Sequence, residues 1–139
     1  MPKPKAQRIR EAREHLERAR AQWNDACVDS WEPSEPAESV TKAFYAFENA
    51  LTAVALALGE RLTTKHYEKA ELAANLVKRG KLKTDVSDRL VELNGLRKDV
   101  QYGVPGEELE NADLEDILTD LEYFLEEVAA VIDSIAGER

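Results

Sequence analysis

The stretch "AFYAFENALTAVALALG", residues 43–59, constrains the fold more than any other part of the chain. It contains no proline, its only glycine is the last residue, and apolar side chains fall on almost every side of a helix drawn through it. A helix with so little polar surface needs partners all round, which places it in the middle of a bundle. It is too short and too rich in alanine for a bilayer span, and Glu48 and Asn49 interrupt it.

Four further helices are expected around it. Residues 6–30 carry Ile9, Ala12, Leu16, Ala19, Trp23, Ala26 and Cys27 at the three-and-four spacing of one helix face. "WEPSEP" ends that segment, Ser34 is a cap, and Pro36 opens the central helix, 36–58, which Gly59 terminates. A third helix spans 65–79 and stops at Gly80. A fourth, 84–101, starts from a Thr84 cap with Val86, Leu90, Leu93 and Val100 on one stripe. The fifth, 111–136, begins near Asn111 and turns Leu114, Ile117, Leu118, Leu121, Leu125, Val128, Ile132 and Ile135 inward. Nothing alternates with period two for long enough to make a strand, so the expected fold is all-α. Short connections between long helices favour antiparallel neighbours, hence an up-and-down bundle of about five helices. At 139 residues the chain suits a single domain, 1–139.

Net charge is -9, unevenly placed: residues 1–20 and 61–98 are basic, whereas residues 107–139 hold twelve acids against one base. An acidic average argues against sequence-blind nucleic-acid binding over the whole surface, yet the first and third blocks can form a local basic face. The acids of the last helix, among them Glu115, Asp116, Asp120, Glu122, Glu126, Glu127 and Asp133, read most simply as a solvated surface. "MPKPKAQRIR" is basic but leads into a charged helix, unlike a secretory signal. One cysteine, Cys27, permits no internal disulfide and suits a reducing cytoplasm. It lies in an apolar stripe with no histidine close in sequence, the position of a small core residue and not of a nucleophile.

Conventional chemistry finds little support. A di-iron bundle needs Glu-x-x-His pairs, and neither His15 nor His66 follows a glutamate by three residues. Two scattered histidines and one cysteine are too few for a zinc site, and the six glycines form no phosphate-cradling loop. No metal and no cofactor are expected. The exception is "LRKDVQYG", residues 96–103. On a helix, Asn94, Arg97 and Gln101 fall one above another, with Leu90, Leu93 and Val100 beside them, so a guanidinium projects from the margin of the core stripe. Arg97 either pairs with a carboxylate on a neighbouring helix or binds a phosphate, which its planar fork suits. Tyr102 lies about 140° further round at about 100° per residue, so the two meet only if the helix bends or if they face each other across a dimer.

As an ordered set, the buried helix of residues 43–59, the histidine-led "KHYEKAELAANLVKRG" and "LVELNGLRKDVQYG" resemble the HEPN superfamily, small helical bundles common in prokaryotic toxin, defence and stress systems. The resemblance implies a homodimer, and in active members a metal-independent ribonuclease site built from an arginine, often a polar residue directly after it, and a histidine that follows after about four to six intervening residues. Carried over, Arg97 is the arginine, Lys98 the adjacent polar residue, and Tyr102 stands where the histidine would be; no histidine follows Arg97. A tyrosine, with an ordinary pKa near 10, exchanges protons reluctantly at neutral pH. The favoured reading is therefore a non-catalytic, cytoplasmic, dimeric HEPN-like module that binds RNA, a nucleotide or a cognate protein through Asn94, Arg97, Lys98, Gln101 and Tyr102. Its rivals are a divergent endoribonuclease toxin using Arg97 and Tyr102, with His66 as a less favoured base, and an interaction module whose acidic last helix docks a basic partner.

Overall fold

The computed structural model describes residues 3–29, 36–101 and 112–138, and all the regular structure among them is helical. The helices are α1 (Lys5–Asp29), α2 (Pro36–Leu58), α3 (His66–Lys78), α4 (Ser87–Gln101) and α5 (Leu114–Gly137). The Ser34 cap, Asn111 and Tyr102 lie outside the described residues.

The apolar α2 is the centre of the bundle. It touches all four other helices, and Phe44, Phe47, Leu51 and Val54 on its different sides are buried. α1 runs antiparallel to it: Ser39 Oγ donates to the Ala26 carbonyl at 2.8 Å near one end, and Arg8 lies against Gly59 at the other. α5 runs antiparallel to α1, with Trp23 Nε1 donating to the Leu118 carbonyl at 3.1 Å and Arg13 bonded to Asp133 at 2.9 Å. Phe47 and Phe124 close the layer between α2 and α5, their ring centroids 6.0 Å apart. The basic first helix is thus part of the bundle, buried along Ala12, Leu16, Ala19 and Ala26. No helix among the described residues is long and apolar enough to cross a membrane.

Gly59 and Gly80 end α2 and α3 with φ of +74° each, a left-handed conformation that only glycine adopts cheaply. Residues 59–65 then double back along α2, so α3 starts beside Phe44 and Glu48, and Arg79 after its end meets Glu60 at 2.8 Å. α3 packs chiefly on α4.

α4 begins at Ser87, not at Thr84. The Lys83 and Thr84 amides donate to the Glu127 carboxylate at 2.7 and 3.2 Å, which ties this segment to α5. Asp85 Oδ1 instead accepts from the Ser87 amide at 2.8 Å. α5 is capped by Asp113, whose side chain accepts from the Asp116 amide at 3.0 Å.

Candidate functional site

Arg97 stands on α4 where that helix crosses α2. Leu90, Leu93 and Leu96 anchor α4 in the core, and this leaves the following helical position at the edge of the interface, half-buried. The i−3 and i+4 neighbours hold the guanidinium: it donates to Asn94 Oδ1 at 2.9 Å and to Gln101 Oε1 at 3.1 Å. Its central carbon sits 5.4 Å from the Phe44 ring centroid and 6.0 Å from that of Tyr45, within cation–π range of both. The Nε–H is buried and finds no acceptor among the described residues. Both hydrogen-bonding partners are neutral amides, and among the described residues no carboxylate forms an ion pair with Arg97. Among the described residues the carboxylate pairing left open by the sequence is therefore absent, and the guanidinium is held there by neutral groups.

The other face of this cluster comes from α3. His66 packs edge-on against the same Phe44 ring, centroids 5.2 Å apart, and its Nδ1 lies 2.6 Å from Glu48 Oε2. Glu48 is 4% exposed, and its second oxygen is 3.5 Å from Lys69 Nζ. Phe44 is thus a shared wall between Arg97 and His66, although the two lie 31 residues apart in sequence. Tyr45 and Tyr67 are exposed close by, and Lys65 approaches the Tyr67 ring at 5.8 Å.

Asn94, Arg97 and Gln101 are brought together as their spacing requires, and Lys98 is exposed next to them. Sequence reasoning missed Glu48 and Phe44 as site residues. The available signal was that Glu48 is the one charged side chain in residues 43–59, so a buried α2 obliges it to find a partner.

Elsewhere, burial and then Glu122 push the Cys27 thiol up from its ordinary pKa, which keeps it protonated and a weak nucleophile. The acidic face of α5 is partly occupied within the chain. Arg89 bonds Asp120 at 2.5 Å and Asp116 and Glu92 at 2.9 Å each. Burial alone would lower the Arg89 pKa, but these carboxylates hold it above its usual range. Among the described residues no three His, Cys, Asp or Glu side chains gather closely enough to hold a metal ion.

At the α2–α4 crossing an arginine with no paired carboxylate among the described residues thus lies on an aromatic wall. The family is shown by sequence: the chain belongs to the HEPN domain family, whose model matches residues 7–131. No curated protein and no solved structure matches the chain.

Proposed function

We propose that this chain is an RNA-binding HEPN domain in which Arg97 receives a backbone phosphate, with Asn94 and Gln101 fixing the guanidinium. The observation that carries the reading is the ligation of Arg97 by two neutral amides and two aromatic rings with no paired carboxylate among the described residues. A structural arginine at a helix interface ordinarily finds a counter-charge, whereas one held by dipoles keeps its charge for a ligand. Exposed Tyr45 and Tyr67 supply faces on which bases stack, and Lys65 and Lys98 add charge beside them. The unit we infer is a cytoplasmic homodimer, single-domain in each copy, with the open side of α3 and α4 facing its partner. The setting, a stress, defence or toxin–antitoxin system, follows from family membership alone.

Docking of a basic partner on α5 is a weaker reading, because Asp116, Asp120 and Glu127 already serve Arg89 and the Lys83–Thr84 amides. The RNA reading is tested by fluorescence anisotropy with a short 2′-O-methyl RNA oligonucleotide, which binds without being cleaved. Arg97→Ala is expected to weaken binding about tenfold to a hundredfold, the worth of a charge-assisted contact of about 1.5–3 kcal/mol. Wild-type affinity is expected to fall with added salt. Unchanged affinity in the variant, with its helical circular dichroism intact, contradicts the assignment.

A further inference from the structure

Glu48 is the one buried charge among the described residues, and its partners among them come from α3 alone. His66 Nδ1 donates to its Oε2 at 2.6 Å, and Lys69 Nζ lies 3.5 Å from Oε1. A carboxylate shut away from water without a counter-group is costly, so α3 can lie over Glu48 only while it brings those two groups. Little else holds it there. Its buried side chains are Ala70, Ala73 and Leu76, and it packs chiefly on α4 and only lightly on α2. The Arg79–Glu60 pair at its far end is exposed at Arg79, where water weakens it. α3 hangs between Gly59 and Gly80, both at a φ of +74°, and the amides of residues 61–64 before it find no acceptor among the described residues.

We propose that α3 is a lid on the Arg97 site, latched to α2 by Glu48 through His66 and Lys69 and drawn shut by the ligand; the ligand's part rests on the reading of Arg97 as a phosphate site. Closed, the lid sets His66 edge-on against the Phe44 ring that also carries Arg97, with Lys65 and Tyr67 beside it. Open, it returns Glu48 to water, leaves Asn94, Arg97 and Gln101 behind on α4, and takes Lys65, His66 and Tyr67 away. The closed form therefore offers an anionic ligand more contacts than the open one. That difference is what lets a ligand shift the balance between them.

The test follows backbone amide exchange by mass spectrometry, with binding of the 2′-O-methyl oligonucleotide read in parallel by anisotropy. In wild type without ligand, α3 amides are expected to exchange faster than those of α1, α2 and α5, the mark of a unit that opens below global unfolding. His66→Phe with Lys69→Met keeps apolar bulk but strands the Glu48 carboxylate. This double variant is expected to speed α3 exchange about tenfold to a hundredfold while α1, α2 and α5 keep their protection. Adding Glu48→Met removes the stranded charge and is expected to bring α3 back to within about threefold of wild type; a purely packing role would leave the triple variant as loose as the double. Saturating oligonucleotide is expected to slow wild-type α3 exchange at least about threefold. Exchange of α3 in step with α1, α2 and α5, unmoved by the double variant, or unrestored in the triple, overturns the latched lid. Binding without slower α3 exchange overturns the ligand's control of the lid and leaves the Arg97 reading standing. Absence of binding overturns that reading and the ligand's control together, while the ligand-free exchange still decides the latch.

Discussion

Arg97 combines tight positioning with the lack of a paired carboxylate among the described residues. The positioning was legible in the sequence, since i−3 and i+4 amides must meet an arginine on a helix. The aromatic wall was not, because Phe44 and Tyr45 reach Arg97 only through the crossing of α2 and α4. Glu48 shows the same limit: its burial followed from the pattern of α2, but its partner came from the backward course of residues 59–65. Gly59 is a residue whose role the sequence did convey. A methyl group there would meet an Arg8 nitrogen at 2.6 Å, and the backbone φ of +74° would strain any L side chain. Gly59→Ala is therefore expected to destabilise the fold by about 1–2 kcal/mol, read as a lower urea midpoint at unchanged m-value.

Among the elements, α2 was the most predictable and α4 the least. An apolar helix declares its own burial, whereas the start of α4 depends on Glu127, more than forty residues away, drawing the Lys83 and Thr84 amides toward α5. The same pair of helices is bridged by Arg89, whose side chain is 19% exposed while its partners Asp116 and Asp120 are 61% and 49% exposed. Solvent screening at the carboxylates limits what the bridge contributes. Arg89→Ala is expected to cost about 1–2 kcal/mol in chemical denaturation, part of it lost stem packing, with the difference from wild type narrowing as salt is added. A difference that salt leaves unchanged would mean that packing alone carries it. This internal use of the α5 acids also explains why their number was a poor guide to function: part of an apparently free charged face was committed to holding α4.

At the scale of the molecule, in a chain of net charge -9, the proposed phosphate site lies where α3 and α4 lean on the end of α2 that carries Phe44 and Tyr45. The bundle supplies rigidity from α1, α2 and α5 and presents the site on the two shorter helices. The central claim is that Arg97 and His66 belong to one anion site, and the chain's histidine content offers a direct reading of it. There are only two histidines, and His15 lies at the α1–α2 contact beside Asn49, 3.4 Å away. Titrating isotope-labelled protein with the 2′-O-methyl oligonucleotide and following the histidine ring and arginine Nε–H resonances tests the claim. The account predicts that His66 and Arg97 signals move together with one dissociation constant while His15 stays still. Movement of His15 without His66, or of Arg97 without His66, would contradict it.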